Sequence, residues 1–510
     1  MIQFFHLLEV EDDTCVWMIE ESFYNKQKKV MSLKKNFIYS SILTTSQYLF
    51  PLLTYPYVSR VLGVTNIGVV NYVDSLVNYF ILFSMLGMSV IGIREIATAN
   101  VGKESLSRAF WGLFTLNGIT TLIALIALIV CIYTIPEFYQ YKSLLYIGII
   151  KLIGNFCLID WFYKGVENFK YITNRTILIK CLYVISVFVF IHKPEDYGIY
   201  FLLTVLTIGL NAIFNIAYVF KFINIKYVRV SILRYVKPFI SMGIYQVLTS
   251  MYTSFNVAFL GWTISTKEVG YYTTATKIYG LILALYGAFT GVMLPRMSNL
   301  LSENRTEEFK LYINKSTNLL LVMNIPLIFF CIVYAPQIID LISGKGYEGA
   351  IIPFQITMIL LLLVGYDQIQ IIQVLMPLKA DKAILTNSCI GAGVGILANI
   401  LLVPYFFCIG SAMVLVVSEL AVLLSARYFI MKKVKISFPY RNFCQQVICH
   451  IPLLFLLIII QKMVSSIYIS FITSICIVGI YVFILQYVIL KNELILNVVN
   501  KIIKSLKWNI

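Results

Sequence analysis

Fourteen long apolar stretches run through this chain, and the short loops between them alternate between loops rich in Lys and Arg and loops poor in them. Each stretch is long enough to cross a hydrocarbon core of roughly 30 Å, which takes about 20 apolar residues in a helix. The alternation of the loops is typical of a polytopic membrane protein with a fixed orientation. Together these two patterns exclude most classes of enzyme.

The composition supports the same interpretation. Of 510 residues, 60% are hydrophobic and only 13% are charged, whereas about a quarter of the residues in a soluble domain are charged. The period-2 alternation of a membrane barrel is absent, and buried backbone in lipid must satisfy its own hydrogen bonds, so the spans are predicted to be helices. The predicted fold class is therefore all-α, with about 14 transmembrane helices. Their predicted bounds are 37–59, 67–93, 109–133, 143–163, 172–191, 198–220, 238–262, 269–294, 316–335, 351–376, 383–403, 409–430, 443–461 and 467–490.

The basic residues give the predicted orientation. The chain carries 40 Lys and Arg residues against 24 Asp and Glu residues, a net charge of +16. When the N-terminus is placed in the cytoplasm, 29 basic residues fall in cytoplasmic segments, six fall outside, and five lie within spans, namely Lys151, Arg175, Lys180, Lys277 and Arg427. This distribution predicts that both termini are cytoplasmic. The excess of basic residues then serves mainly to fix the orientation of the chain in the membrane. Its expected neighbours are anionic lipid headgroups, and we predict no nucleic-acid partner.

The sequence offers no cofactor chemistry. The ten cysteines are scattered, mostly within apolar spans, and the three histidines are too few and too dispersed for a metal site. No GxxxxGK[ST] nucleotide-binding motif occurs. We therefore predict no metal, no other cofactor and no catalytic residue. Residues 1–30 are partly acidic and lack the order of a signal peptide, and we interpret them as a disordered extension or a misassigned start.

Two segments 202 residues apart resemble each other. Gly68 and Arg94 are separated by 26 residues, and so are Gly270 and Arg296. Each pair lies in a helix hairpin of the same orientation, so the repeat is parallel, with its pseudo-twofold along the membrane normal. Transporters with this symmetry bind substrate between two halves that move against each other. The predicted units are an N-lobe over 31–234, a C-lobe over 235–431, and two further helices with a basic tail over 432–510.

Several motifs follow one another in the order found in one family of membrane proteins. They are Pro51-Leu-Leu-Thr-Tyr-Pro-Tyr-Val-Ser-Arg60-Val-Leu-Gly63, Gly92-Ile-Arg94-Glu95, Asp160-Trp-Phe-Tyr-Lys164-Gly-Val-Glu167, Leu294-Pro295-Arg296-Met-Ser298, and the later Asn399, Pro404, Ser411 and Glu419. From about residue 31 to residue 430, the chain resembles the Wzx-type lipid-linked oligosaccharide flippases of the multidrug/oligosaccharidyl-lipid/polysaccharide exporter superfamily.

The resemblance implies a V-shaped fold with two lobes around a central cavity, in the cytoplasmic (inner) membrane of a bacterium. It implies a flippase that moves undecaprenyl-diphosphate-linked oligosaccharide units from the cytoplasmic to the outer leaflet by alternating access, for O-antigen or capsular polysaccharide synthesis. The implied partners are this lipid-linked cargo, the bilayer, and a polysaccharide polymerase with its chain-length regulator. Relatives suggest proton or sodium antiport as the driving reaction.

The cationic candidates follow from the diphosphate of such a cargo, which needs cations in a low-dielectric cavity. Ionisable residues inside spans are functional candidates by default, and Lys151, Lys180 and Lys277 are predicted to form a cationic path. Arg94 and Arg296 lie at equivalent cytoplasmic ends of the repeat and are predicted either to capture the diphosphate as it enters or to lock the inward-closed state through contacts between the lobes. Pairing with an aspartate of the N-lobe, snorkelling and positive-inside anchoring are the simpler explanations for these residues.

Other charged residues are candidates for gating or proton coupling. Asp74 and Lys277 occupy nearly equivalent positions of the repeat and could face each other across the lobes, or they could line water separately. Arg60 lies on the predicted outer side, where positive-inside anchoring does not explain it, so we expect a gating role. Asp367 and Glu419 are the acids of the C-lobe, and either could exchange protons or accept a structural hydrogen bond.

Aromatic residues are abundant, with 35 Tyr and 35 Phe, and most are expected to face lipid or the membrane interface. Four tyrosines on helices that would line the cavity are candidates for sugar contacts. They are Tyr72, Tyr245, Tyr252 and Tyr272.

Two other functions stay open at this point. A drug or cation antiporter of the same superfamily would favour an acidic, apolar cavity, whereas the lysines within spans favour an anionic cargo. A membrane glycosyltransferase or polymerase usually needs a sizeable external loop, and the predicted external loops are short.

Overall fold

The computed structural model describes residues 13–224, 232–434, 436, 438–464, 466–491 and 496. These residues form helices and turns, and no β-strand occurs among them, which confirms the predicted all-α class. The α-helices are α1 Asp13–Met85, α2 Met88–Ala99, α3 Lys103–Thr134, α4 Pro136–Gln140, α5 Lys142–Leu158, α6 Asp160–Gly165, α7 Phe169–Phe190, α8 Tyr197–Val219, α9 Leu233–Thr253, α10 Phe255–Thr263, α11 Thr266–Ser302, α12 Thr306–Val333, α13 Ala335–Ser343, α14 Ile351–Gln368, α15 Asp381–Lys433, α16 Tyr440–Met463 and α17 Ile467–Ile484. The π-helical segments Ile369–Leu375 and Leu485–Ile489 extend α14 and α17.

Two of the helices contain a break, and each holds two of the predicted spans. Helix α1 turns at Gly63, where φ is 72° and ψ is 167°, a combination open almost only to glycine. Helix α15 turns at Phe407, with φ 53° and ψ −129°. Both turns fall where the sequence predicts an outer loop.

In the described part of the chain, ten helical stretches are long and apolar enough to cross a membrane. These ten stretches contain twelve of the fourteen predicted spans. The two stretches that are broken at Gly63 and Phe407 contain two predicted spans each. The predicted spans 238–262 and 269–294 fall within α9 to α11. The structure confirms a polytopic helical protein, and the number fourteen stays a prediction. Residues 1–12 lie outside the described part, so the interpretation of residues 1–30 also stays a prediction.

The buried side chains form one large core shared by both halves of the chain and further cores at the opposite end. At the predicted outer end, Val73 of α1 and Val269 of α11 belong to the same core. At the predicted cytoplasmic end, one core surrounds Phe110 of α3 and a separate core surrounds Phe309 of α12. The two halves therefore pack together at one end and have distinct cores at the other, which is the arrangement expected for two lobes around a cleft.

Helix α9 contacts both halves. Phe239, near its start, is buried in the core around Phe110. Tyr252, near its end, packs on α15, where a Cβ atom at Gly391 or Gly395 would lie 3.0 Å from a Tyr252 atom. The helix ends at Thr253, and α10 continues from Phe255. Helix α9 thus crosses from the first half to the second.

The shared core is held together by a close crossing of α1 and α11. A Cβ atom at Gly68 would lie 1.7 Å from the carbonyl oxygen of Thr266, and a Cβ atom at Gly270 would lie 2.2 Å from the carbonyl oxygen of Val64. Gly68 and Gly270 are equivalent residues of the predicted repeat, so each glycine lets the backbone of the other copy approach. This reciprocal contact supports the predicted pseudo-twofold axis.

The last two helices are attached to α12 by polar contacts. The hydroxyl group of Tyr334, at the end of α12, lies 2.8 Å from the Ser470 hydroxyl group and 2.6 Å from that of Ser474 on α17. On α16, Gln461 donates from Nε2 to the Val333 carbonyl oxygen at 2.9 Å. Polar groups buried in a membrane protein need such partners, so these contacts fix the α16–α17 hairpin to the second half.

Replacing Gly68 or Gly270 with Ala should lower the midpoint of thermal unfolding of the purified protein. The added methyl group would meet a backbone carbonyl that cannot move unless α1 and α11 separate, and overpacking of this kind costs roughly 1–3 kcal/mol. Gly280→Ala is the matched control on α11, because a Cβ atom there would have no heavy atom within 4 Å. Equal midpoints for the three variants would show that the crossing is not tightly packed.

Candidate functional site

A hydrogen-bonded group of polar side chains lies between α1 and α5, inside the predicted membrane region. Lys151 Nζ lies 2.6 Å from Asp74 Oδ1 and 2.6 Å from Asn78 Oδ1. Asn78 donates from Nδ2 to Asp74 Oδ2 at 3.0 Å, which completes the triangle. Lys151 is 8% exposed, whereas the side chain of Asp74 keeps 34% of its surface. In this conformation Lys151 is thus paired with an aspartate of the first half. Such pairing is the simpler explanation given above for a lysine within a span.

Lys277 reaches from α11 across to α1. Its ammonium nitrogen donates to Asn71 Oδ1 at 3.1 Å and lies 4.6 Å from the centroid of the Tyr55 ring. The Tyr55 hydroxyl group in turn lies 2.6 Å from Thr274 Oγ1, so the ring is held by the helix that carries the lysine. A cation over an aromatic face is attracted by the ring quadrupole. Lys277 therefore reaches from one half to the other, where its hydrogen-bond acceptor is the neutral Asn71. A gate formed with Asp74 stays a prediction.

The two lysines share one carboxylate. Asp74 binds Lys151 directly and also acts on Lys277 electrostatically. Among the described residues, no other carboxylate lies within ion-pair distance of either lysine. The group formed by Asp74, Lys151 and Lys277, which we name the cationic group, therefore carries one excess positive charge.

Lys180 lies apart from the cationic group. Its ammonium nitrogen donates to the Ser46 carbonyl oxygen at 3.1 Å and lies 5.6 Å from the centroid of the Phe50 ring. The half-buried side chain thus connects α7 to α1. Within the described ranges no carboxylate pairs with it, and its predicted role in a cationic path stays a prediction.

The two arginines at the predicted cytoplasmic ends are not in contact with each other in the described structure. Arg94 Nη2 lies 3.2 Å from Glu95, which Arg234 of α9 also approaches to 3.4 Å. Arg296 stacks on the ring of Tyr312 at 4.1 Å and donates to its hydroxyl group. The Arg94 side chain keeps 57% of its surface. Capture of a diphosphate at these sites stays a prediction.

Arg60 connects the two halves at the predicted outer end. Its Nη2 donates to the Leu341 carbonyl oxygen at 2.5 Å, at the C-terminal end of α13. The neighbouring Ser59 carbonyl oxygen accepts a hydrogen bond of 3.0 Å from the Tyr347 hydroxyl group. A cation is favourable at a helix C-terminus, where unsatisfied carbonyl groups point outward. A third hydrogen bond, of 3.0 Å, joins Asn71 Nδ2 to Thr273 Oγ1. We name the three hydrogen bonds Arg60–Leu341, Tyr347–Ser59 and Asn71–Thr273 the outer contacts.

The two acids of the second half are both buried. Asp367 of α14 is 7% exposed and Glu419 of α15 is 8% exposed. They interact electrostatically with each other, and both act on Tyr252 of α9. Asp367 Oδ1 is buried without a hydrogen-bond partner in the described part of the chain. A pair of like charges in a low-dielectric site favours uptake of a proton or another cation.

The structure reveals a buried ion pair that the sequence analysis did not single out. Arg175 of α7 lies 3.2 Å from Asp160 Oδ1 and also donates to Asn215 Oδ1 on α8. Asn215 donates from Nδ2 to Asp160 Oδ1 at 3.0 Å. These contacts hold the turn at Ile159, where φ is 36°, between α5 and α6. Asp160 therefore helps to fix the turn between α5 and α6. The sequence signal that could have predicted this ion pair is the opposite charge of Asp160 and Arg175, 15 residues apart.

The four candidate tyrosines differ in their surroundings. Tyr72 is 1% exposed and Tyr272 is 2% exposed, and both belong to the shared core. In this conformation neither offers surface to a sugar. Tyr252 is also buried, and Tyr245 is half-buried. Contacts between these tyrosines and a sugar stay a prediction.

Comparison with known proteins is consistent with this geometry. Residues 33–301 match the family described as "Polysaccharide biosynthesis protein". The "Putative O-antigen transporter" of Escherichia coli (strain K12) is 27% identical over 399 residues, which are 76% of this chain and 94% of that protein.

Two solved structures share the fold. "Lipid II flippase MurJ, inward closed conformation" has a TM-score of 0.71 at 17% identity, over 88% of this chain and 98% of that chain. An inward-facing multidrug resistance MATE family transporter of the MOP superfamily has a TM-score of 0.57 at 15% identity, over 76% of this chain and 94% of that chain. These likenesses confirm a multi-pass transporter fold. The family match covers more than half of the chain and confirms the resemblance found in its motifs, and the protein is therefore a membrane-embedded member of the polysaccharide biosynthesis protein family.

Proposed function

We propose that this protein is a flippase that moves a diphosphate-linked, lipid-anchored oligosaccharide from the cytoplasmic to the outer leaflet by alternating access, for O-antigen or capsular polysaccharide synthesis. The observation that carries the proposal is Lys277, a cation within the membrane region that crosses between the halves and hydrogen-bonds to a neutral amide. The relatives named as transporters support a carrier rather than an enzyme. The undecaprenyl carrier and the bacterial inner membrane are part of the proposal.

The excess charge of the cationic group supports an anionic cargo. Asp74 is already bound to Lys151, so a second anion near Lys277 would find an ammonium group whose hydrogen bond, within the described part of the chain, goes to the neutral Asn71. A contact of the Lys277 ammonium group with a phosphate oxygen joins two opposite full charges, whereas the Asn71 amide is neutral, so Coulomb attraction favours the phosphate. A diphosphate can therefore displace Asn71 as the partner of Lys277, and this exchange would loosen one connection between α1 and α11.

The outer contacts support a gate at the predicted outer end. Arg60, Ser59 and Asn71 of α1 bind groups of the second half, while the cores at the opposite end are separate. A cavity between the halves would then be open toward the cytoplasm, where the cargo is made. Outward release requires the outer contacts to break, and Arg60 is the charged group among them.

The buried acids support coupling to an ion gradient. Asp367 and Glu419 have no Lys or Arg within ion-pair distance in the described part of the chain. Two ionised carboxylates at such a site repel each other, so a bound proton or other cation would stabilise the pair. We include exchange of a proton or another cation at these acids in the proposal, together with a polysaccharide polymerase and a chain-length regulator as downstream partners.

The charges of Lys277 and Asp74 should affect transport in opposite directions. Lys277→Gln removes an ammonium–phosphate contact worth about 1.5–3 kcal/mol, so we expect a roughly 10- to 100-fold loss of cargo affinity. Asp74→Asn raises the net charge of the site, so transport of the anionic cargo should be retained or strengthened. The measurement is translocation of diphosphate-linked oligosaccharide lipid in proteoliposomes.

Lys267→Gln is the matched control, because this exposed lysine lies on the same helix outside the cationic group. A drug or cation antiporter, the alternative suggested by the shared fold, would show the reverse pattern. It would depend on Asp74, tolerate Lys277→Gln, and export organic cations in the same vesicles. That pattern would replace the flippase proposal.

Replacing the buried acids should uncouple transport from the ion gradient. We expect Asp367→Asn and Glu419→Gln to keep cargo binding, because both lie away from the cationic group, but to lose the response to an imposed proton or sodium gradient. Translocation is measured with and without each gradient, and Glu348→Gln, an exposed acid near the start of α14, is the control. An unchanged gradient response in both acid variants would remove ion coupling at these residues from the proposal.

A further inference from the structure

A cavity of about 660 Å³ lies at the predicted outer end, away from the cationic group. It is formed where the end of the first span meets α13 and α17. This volume is within the range of roughly 300–1,000 Å³ that is usual for ligand sites. The lining residues used below are Arg60, Lys345, Asp340, Gln337, Phe471 and Ile472.

The cavity has a basic side. Arg60 uses Nη1 and Nη2 for the carbonyl oxygens of Pro56, Asp340 and Leu341, and its Nε–H group has no hydrogen-bond acceptor among the described residues. Lys345 is exposed and has no hydrogen-bond or ion-pair partner among the described residues. The Gln337 amide oxygen accepts a hydrogen bond of 3.0 Å from Gln461, which leaves its NH₂ group as a donor. These donors suit phosphate oxygens. Asp340 is the one carboxylate among the lining residues and opposes an anion.

The cavity also has an apolar side. Phe471 packs against Phe330 and Tyr334 and is fixed in place. Ile472, on the same helix, is 62% exposed. Helix α17 is buried over only a small part of its length, so this side faces the surroundings of the protein, which in a membrane are lipid chains. A ligand with a phosphate at one end and a hydrocarbon chain at the other matches both sides.

We propose that this cavity binds the phosphate or diphosphate group of a lipid in the outer leaflet, with Lys345 and Arg60 as phosphate ligands and Ile472 beside the chain. The inference rests on the proposed function, because the lipid it fits is a flipped carrier lipid about to leave. Arg60 takes part in the outer contacts as well, so a phosphate at this site would compete with the α13 carbonyl groups for its guanidinium. Binding of the lipid and opening of the outer end would then favour each other.

The test measures the binding of farnesyl diphosphate, a soluble polyprenyl diphosphate, to the full chain in detergent. Native mass spectrometry detects the bound probe. All variants are made in the Lys277→Gln background, so that the cationic group does not contribute. We expect Lys345→Gln to weaken binding roughly tenfold, as the loss of one charge-assisted contact predicts. Asp340→Asn should strengthen it, and Lys267→Gln, on the same predicted face but outside the cavity, should leave it unchanged.

Inorganic diphosphate and Ile472→Ser distinguish a lipid from a free phosphate. If the ligand is a lipid, inorganic diphosphate binds more weakly than farnesyl diphosphate, and Ile472→Ser weakens only the latter. Equal binding of the two probes would assign the site to a free diphosphate and overturn the lipid. Unchanged binding in Lys345→Gln, or an equal loss in Lys267→Gln, would overturn the site itself.

Translocation is measured separately with the wild-type Lys277 present. If the proposed function fails, the wild type does not translocate the lipid-linked cargo, whatever the binding result. If only the outer site fails, Lys345→Gln translocates at the wild-type rate and binds farnesyl diphosphate as the Lys277→Gln background does. The two failures are therefore distinguishable.

Discussion

The close approach of two backbones at Gly68 and Gly270 is the contact on which the rest of the arrangement depends. Two helices that each carried a side chain at this crossing would stand further apart, and the polar groups one or two turns along could not meet. Asn71 would lose Thr273, and Lys277 would lose Asn71. The position of Lys277 between the two halves is thus set by the absence of two side chains.

Much of the fold could be predicted from the sequence because a membrane reduces the alternatives. Apolar length gave the spans and their helical state, and the spacing of Gly68 and Gly270 predicted a repeat whose copies now contact each other. The partners of the charged residues could not be predicted in the same way. Lys151 binds Asp74, which is 77 residues away, and Asp160 binds Arg175 instead. Such pairings depend on how helices rotate about their axes, which hydropathy does not encode.

The charges are divided between regions of the structure. The excess positive charge lies where α1 meets α11, whereas Asp367 and Glu419, which have no ion-pair partner in the described part of the chain, lie on α14 and α15. If the cargo is anionic and a cation binds at the acids, as we propose, this separation keeps the two from neutralising each other at one site. A fold shared with a structure described as a lipid II flippase and with one described as a multidrug transporter can thus differ in cargo through a few charged side chains.

Helix α9 has a mechanical consequence. Its start is packed into the core around Phe110, and Tyr252 near its end is packed against the glycines of α15. Any rotation of one half relative to the other must therefore bend this helix, slide one of its packed ends, or change the angle at Ser254, where α9 passes into α10. A transported molecule that moves the halves does work against this helix as well as against the outer contacts, so the stiffness of α9 would contribute to how long each orientation persists.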